Sequence, residues 1–170
     1  DQIYGGAAPG GGGADWLTRE AHLNGIDTCN NEVDIGVRVE VPNAVMDHLT
    51  KHLYEAKMVY YSDTFENKVR TFCMNPGGIV SEEHYEGGLS IMVQRLGDLL
   101  QGRRTDKGRL AKSTTVPTLT TAVPGDLSFV LPHRHLTSLI EAMQAFDKVA
   151  PGLYSKNTLL YGVEVKFYPG

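Results

Sequence analysis

A β-prone run broken by a turn signal constrains the fold of this chain more than any other feature. Residues 69–80 read Val-Arg-Thr-Phe-Cys-Met-Asn-Pro-Gly-Gly-Ile-Val. Pro76 fixes its φ at about −65°, and the two glycines after it permit positive φ, so the pattern predicts two strands that meet at a tight turn with open backbone. Spacing alone favours an ordinary hairpin over a loop that contacts a ligand.

Length and composition fit one soluble domain. The chain has 170 residues, of which 41% are hydrophobic and 21% charged, values typical of a globular protein. No apolar run approaches the roughly 20 residues that span a bilayer, and the start has no signal-peptide pattern, so we expect a cytoplasmic protein without membrane contact. The net charge of −4 argues against a nucleic-acid partner. Cys29 and Cys73 form no Cys-x-x-Cys pair, which predicts reduced thiols, with Cys73 a small strand hydrophobe rather than a redox centre.

Hydrophobic periodicity predicts an α+β domain. The clearest strand is 33–41, where valine and isoleucine alternate with polar residues and glycine. Other strands are expected at 57–65, 69–74, 79–85 and 158–168, and helices at 15–24, 43–54 and 134–149. Short turns between strands favour antiparallel pairing. We therefore predict a mixed or mainly antiparallel sheet, with closure into a barrel-like form as an option, and about three packed helices. Residues 14–170 form this domain, and residues 1–13 are a glycine-rich leader or linker.

Three polar clusters each have a functional and a plainer interpretation. The segment 102–112 carries five basic residues against one acid, which suits an anion such as a phosphate or a carboxylate, but a solvated loop is the plainer explanation. His48 and His52 share one helix side at i and i+4, yet lack an obvious third ligand, so we predict no metal site there. His133 and His135 lack a nucleophile or a fixed carboxylate, and form no catalytic constellation.

Five stretches, in this order, resemble one family. They are 33–40 (Val-Asp-Ile-Gly-Val-Arg-Val-Glu), 70–78 (Arg-Thr-Phe-Cys-Met-Asn-Pro-Gly-Gly), 93–100 (Val-Gln-Arg-Leu-Gly-Asp-Leu-Leu), 124–128 (Pro-Gly-Asp-Leu-Ser) and 159–168 (Leu-Leu-Tyr-Gly-Val-Glu-Val-Lys-Phe-Tyr). The family is a mostly uncharacterised bacterial group of FAD-dependent dehydrogenases, within the NAD(P)/FAD-dependent oxidoreductases. Its members resemble two-part flavoproteins, with a dinucleotide-binding domain split in sequence and a second domain inserted between its halves.

The resemblance implies that this chain is the inserted, non-Rossmann domain. It is shortened between Tyr85 and Ile91, where the family has a further block with an Asn-Gly-x-Ser stretch. The chain has no strand-linked Gly-x-Gly-x-x-Gly fingerprint, the element that holds the pyrophosphate of a dinucleotide. We therefore expect FAD in the intact parent protein, none bound by this chain alone, and no activity of the chain in isolation.

Two hypotheses about function follow. In the first, the chain is the substrate or cap domain of an FAD-dependent oxidoreductase, and its partners are the parent's FAD-binding domain and a small-molecule substrate. The residues expected to face the substrate or the flavin are Arg70, Cys73, Asn75, Gly77 and Gly78, with Arg95 and Arg103 as weaker anion contacts. In the second, the chain is a non-catalytic interaction domain that docks on a partner domain or forms a homodimer.

Overall fold

The computed structural model describes residues 12–27, 33–80 and 90–167. They belong to two compact units, of which the larger comprises 36–80 and 90–164 and the smaller comprises the remainder. Most of the glycine-rich leader, Cys29 and the greater part of the predicted strand 79–85 lie outside the described residues. Among the described helices the longest has 14 residues, and none has the length and apolar character needed to cross a membrane.

The described residues form an α+β fold, as the sequence predicts. In chain order the elements are α1 (Gly12–Leu23), β1 (Val33–Glu40), α2 (Asn43–Thr50), β2 (Val59–Tyr61), β3 (Lys68–Arg70), β4 (Met92–Arg95), α3 (Leu96–Leu100), α4 (Lys107–Ala111), β5 (Val123–Pro124), a 3₁₀ helix (Leu127–Phe129), α5 (His133–Phe146) and β6 (Leu159–Phe167). The three predicted helices correspond to α1, α2 and α5. The short helices α3 and α4 add to the predicted number because segments of five residues are too brief to show a helical period.

The strands form a mixed sheet and a separate hairpin. The four-stranded sheet has the order β1-β6-β4-β5, in which β4 pairs antiparallel with β6 and parallel with β5. The hairpin consists of β2 and β3, paired antiparallel. The mixed sheet is therefore confirmed, whereas the barrel-like closure is wrong for the described strands. The sheet stays open because the hairpin pairs only with itself and packs against α5.

The first residues of strand β6 lie at the centre of the core, where they are buried on both faces. Leu160 belongs to one hydrophobic cluster together with Leu96 and Leu127, whereas Leu159 and Tyr161 belong to another. Consecutive residues of a strand point to opposite faces, so the apolar run at the start of β6 supplies side chains to both clusters. The alternation predicted further along β6 does not produce burial, since Val163 and Val165 are 39% and 41% exposed.

Helix boundaries agree with the predicted ranges only in part. Helix α1 begins at Gly12, before the predicted start at residue 15. Its end is as predicted, because Gly25 takes a positive φ of 67° just beyond the last turn. Helix α5 ends at Phe146, and Asp147 then accepts hydrogen bonds from the backbone N–H groups of Gly152 and Tyr154. This carboxylate fixes the connection between α5 and β6.

Candidate functional site

The turn predicted at residues 75–78 is present in the structure. The N–H of Gly78 donates to the carbonyl oxygen of Asn75 at 3.0 Å, and Gly77 has a φ of +65°. Pro76 followed by a residue with positive φ is the arrangement of a type II turn. The ordinary hairpin favoured by spacing is not formed by the described residues, because Ile79 and Val80 on the far side of the turn are not in a strand. The turn is therefore a loop feature.

The five residues expected to face a ligand lie along this loop and at its entrance. Arg70 is the last residue of β3, and its guanidinium carbon lies 4.4 Å from the centre of the Phe72 ring. Cys73 is an exposed free thiol, and Asn75, Gly77 and Gly78 are also exposed. A Cβ added to Gly78 would lie 1.9 Å from Nδ2 of Asn75. Residue 78 must therefore be glycine for the side chain of Asn75 to keep its position over the turn.

Hydrogen bonds fix the loop at both ends. At the entrance, the N–H of Thr71 donates to the carbonyl of Met58 at 3.0 Å, and the Thr71 hydroxyl donates to the carbonyl of Ala56 at 2.7 Å. At the exit, the N–H of Val80 donates to the hydroxyl oxygen of Thr118 at 2.8 Å. The segment 72–79 between these anchors is a short bridge that carries the turn.

The exit anchor depends on a carboxylate that sequence reasoning missed. The hydroxyl of Thr118 donates to Oε1 of Glu40 at 2.5 Å, and the hydroxyl of Tyr161 donates to the other carboxylate oxygen. Burial raises the pKa of Tyr161 above its ordinary value, and Glu40 raises it further, so the phenol keeps its proton and remains a donor. The one sequence signal for this cluster is that Glu40 and Tyr161 both lie in stretches that resemble the family.

A second polar cluster surrounds the buried carboxylate of Asp98, which is only 1% exposed. Its Oδ1 accepts from Nε of Arg103 and its Oδ2 accepts from the hydroxyl of Thr105, both at 2.8 Å. Nη1 of Arg95 lies 3.8 Å from the same carboxylate, and Nη2 donates to Asn157. Arg95 and Arg103, the expected anion contacts, thus have an internal anion as a partner. Their role toward an external anion stays a prediction.

The backbone around Asp98 is organised by a buried amide. Gln94 is fully buried, its Nε2 donates to the carbonyl of Arg103 at 2.9 Å, and its Oε1 accepts from the N–H of Leu127 at 2.8 Å. Two of the stretches that resemble the family, 93–100 and 124–128, meet through these bonds. Both of these hydrogen bonds hold a loop in place, so the side chain of Gln94 supports the structure around Asp98.

The histidines identified in the sequence lie apart from these clusters. Nε2 of His48 is 2.8 Å from the carbonyl oxygen of Val149, which ties α2 to the segment after α5. His52 is exposed. His133 packs edge-to-face on Phe65, with the ring centres 6.3 Å apart. Within residues 12–27, 33–80 and 90–167, no three histidine, cysteine, aspartate or glutamate side chains are grouped as metal ligands would be.

Comparison with known families gives one finding that bears on these clusters. A family described as "FAD-dependent protein, C-terminal domain-like" matches residues 81–167. The match therefore includes Gln94, Asp98 and Tyr161. It begins at residue 81, so the loop at 72–79 lies outside it. No curated protein matches the chain.

Proposed function

The chain belongs to the family of FAD-dependent protein C-terminal domains, and we propose that it is the substrate or cap domain of an FAD-dependent oxidoreductase, where it shapes the pocket over the flavin. Its partners in this role are the parent's FAD-binding domain and a small-molecule substrate. The dehydrogenase chemistry belongs to the intact parent protein. The part proposed for this chain is to bind and orient substrate and to exclude water from the flavin.

Helices α2 and α5 lack the features that hold the pyrophosphate of FAD. The sequence has no Gly-x-Gly-x-x-Gly motif, and helices α2 and α5 each begin after a proline, Pro42 and Pro132, rather than after a glycine-rich turn. Backbone N–H groups at such a turn are what normally hold a dinucleotide. The cofactor is therefore assigned to the other domain of the parent, where it would accept or supply electrons when bound.

The observation that carries the proposal is the anchored bridge 72–79 with its exposed glycine turn. Apart from its chain neighbours, no heavy atom lies within 4 Å of the position that a Cβ on Gly77 would take, so a planar ring can approach the backbone from that side. Asn75 supplies an amide for hydrogen bonding, and Arg70 supplies a guanidinium that can pair with a carboxylate. Because Thr71 and Val80 are hydrogen-bonded at the two ends, these groups are presented on a defined scaffold.

The test combines the 170-residue chain with a separately produced, FAD-loaded dinucleotide-binding domain from a member of the same family. The flavin absorption bands and flavin fluorescence are followed as the chain is added. We expect a saturable shift of the flavin bands with the wild-type chain and a weaker one with the R70A/N75A variant. The matched control K107A/K112A changes two exposed residues of the α4 region and should behave like wild type.

Two results would contradict the proposal. One is a flavin spectrum that does not respond to the chain while the two proteins are both folded. The other is saturable binding of FAD to the chain alone at micromolar affinity, about −8 kcal/mol, because a cap domain without a dinucleotide site should not achieve it. If the molecular mass of the chain in solution falls on dilution and the flavin spectrum does not respond, the result would favour the hypothesis of a non-catalytic interaction domain.

A further inference from the structure

Three arginines surround the buried carboxylate of Asp98. Nε of Arg103 lies 2.8 Å from Oδ1, Nε of Arg109 lies 3.9 Å from the same oxygen, and Nη1 of Arg95 lies 3.8 Å from Oδ2. Guanidinium groups stay protonated in proteins, so the single charge of this carboxylate does not neutralise all three. We call Arg95, Arg103 and Arg109 the arginine cluster.

The acids that the fold places near the arginine cluster leave an excess of positive charge. Besides the carboxylate at its centre, Asp106 pairs with Arg109, with Oδ2 at 2.9 Å from Nη1. Among the described residues, no other carboxylate lies within ion-pairing distance of the cluster. Asp126 comes near through Gln94, but its Oδ1 accepts from the N–H and the hydroxyl of Ser128 instead. Three positive charges therefore face two negative ones.

Arg104 adds a fourth guanidinium to this charge balance. Its Nη2 donates to the carbonyl oxygen of Pro124 at 3.2 Å, and its own carbonyl oxygen accepts from Nη1 of Arg109 at 3.0 Å. No acid in the described part of the chain pairs with its side chain. Four cations then stand against two carboxylates, and the excess of two charges is about the charge of one phosphate monoester at neutral pH.

The two outer arginines of the cluster keep N–H groups that the described residues do not use. The side chain of Arg103 donates through Nε to Asp98, and neither of its terminal nitrogens has an acceptor among the described residues. Nη2 of Arg109 is likewise without one there. The two side chains are 47% and 39% exposed, so a ligand can reach these groups. The side chain of Arg95 is 12% exposed, and its buried Nε has no partner in the described ranges, so it contributes charge rather than a contact.

Hydrogen bonds hold both outer arginines in place before any ligand binds. The N–H of Arg103 donates to the carbonyl of Asp98 at 3.0 Å, and the carbonyl of Arg103 accepts from the buried amide of Gln94 at 2.9 Å. The N–H of Arg109 donates to Oδ1 of Asp106 at 2.8 Å. The segment 102–112, for which a solvated loop is the plainer interpretation of the sequence, is thus fixed at both arginines. A preformed site loses less conformational entropy when it binds a ligand.

We propose that Arg103 and Arg109 bind a phosphate group, either as the free ion or as an ester, with Arg95 and Arg104 contributing charge. The N–H groups of a guanidinium match phosphate oxygens in both geometry and charge. The excess of two positive charges favours a phosphate over a single carboxylate. The inference goes beyond the proposed function, because the cap role requires no phosphate.

The experiment uses the 170-residue chain without flavin. Its backbone amide signals are followed by NMR during titration with inorganic phosphate at about pH 7.5, where a phosphate group is largely a dianion, and sodium chloride keeps the ionic strength constant. We expect saturable shifts at residues 103–109 with half-saturation at roughly 1 mM or below, and at least roughly tenfold weaker binding of acetate. Adenosine 5′-monophosphate separates the sources of the phosphate. Tighter binding than inorganic phosphate indicates a nucleotide, whereas equal binding indicates that the phosphate group alone is recognised.

Variants test the two outer arginines directly. R103Q/R109Q removes both charges while each glutamine keeps an amide donor for the neighbouring aspartate, and it should weaken phosphate binding at least roughly fivefold. R103K/R109K keeps the charges without the planar fork and should weaken binding at least roughly twofold. The matched control K51Q/K57Q removes two charges from exposed pairs elsewhere in the larger unit and should bind as wild type does. Amide signals far from residues 95–109 confirm that each variant is folded.

Three outcomes would overturn the inference. They are no shift at residues 103–109 up to about 10 mM phosphate, acetate binding as tight as that of phosphate, and unchanged phosphate binding by R103Q/R109Q, or by R103K/R109K where only that variant folds. The proposed function is judged separately by the flavin response. A chain that caps the flavin domain but does not bind phosphate refutes the phosphate site alone, and the reverse result refutes the cap role alone.

Discussion

Replacing Asp98 by alanine should destabilise the larger unit more than any other single change of a charged residue described above. The carboxylate is 1% exposed and accepts two hydrogen bonds of 2.8 Å, one from Arg103 and one from the hydroxyl of Thr105. Thr105 is itself fully buried. Removing the acceptor therefore leaves a buried hydroxyl and a partly buried arginine without their partner.

The magnitude follows from these contacts. A hydrogen bond to a charged group contributes about 1.5–3 kcal/mol, and an unsatisfied buried hydroxyl costs about 1–3 kcal/mol. The side chain of Arg103 is 47% exposed, so water can solvate its charge and the arginine contribution belongs at the low end. We expect Asp98→Ala to lower the free energy of unfolding by about 3 kcal/mol. Asp98→Asn retains one acceptor and should cost about 2 kcal/mol.

Urea unfolding followed by far-ultraviolet circular dichroism measures this difference. Asp47→Ala is the matched control, since Asp47 is 48% exposed and pairs with Lys51 at 3.8 Å on the surface of α2. Its loss should cost about 0.5 kcal/mol or less. An Asp98→Ala chain that loses less than about 1 kcal/mol relative to wild type would refute the reasoning, because the carboxylate would then be solvated rather than buried in its network.

Three further predictions concern the core, the turn and the pH dependence. Leu127→Ala removes a fully buried side chain and should cost about 3 kcal/mol in urea unfolding; a cost no greater than that of Phe129→Ala, a residue that is 84% exposed, would contradict this. Gly77→Ala should cost about 1 kcal/mol, since φ is +65° although space is open, and Gly77→Asn should cost less; equal costs would show that conformation is not the cause. Hydrogen bonds from Ser62 and Thr64 lower the pKa of Glu141. The ionised Glu141 carboxylate therefore contributes to the free energy of unfolding at neutral pH, and this contribution is lost as the pH falls through its lowered pKa. Glu141→Gln should flatten the loss of stability below about pH 4. An unchanged pH profile of stability would oppose this.

Local signals in the sequence predicted the elements well where backbone chemistry alone decides them. Pro76 and Gly77 specify a turn in any context, and the structure has it. The alternating run at 33–41 became β1, and the apolar period of 134–149 became α5, each within a few residues at the ends. Propensity and periodicity act over a few residues, so they can be read from one chain.

Burial and polar partners could not be predicted in the same way. Val163 and Val165 alternate as core residues do, yet they are half-exposed, because covering a strand depends on what packs over it. Glu40 is 121 residues away from Tyr161 and 78 from Thr118, and no local pattern encodes such contacts. The roles of the expected site residues from Arg70 to Gly78 remain predictions, since they depend on the ligand.

The double anchoring of the bridge 72–79 has a consequence for how the domain can change. Its ends are held by Thr71 and by the Val80–Thr118–Glu40 relay, whereas the residues between contribute little to the buried core. The cost of closing a loop rises only slowly with its length. We therefore expect short insertions in the bridge, and substitutions in it other than at Gly77 and Gly78, to leave stability nearly intact. Under the proposed function, the residues that recognise a ligand are then separate from those that stabilise the fold, and a lineage could acquire new ligands here without first acquiring extra stability.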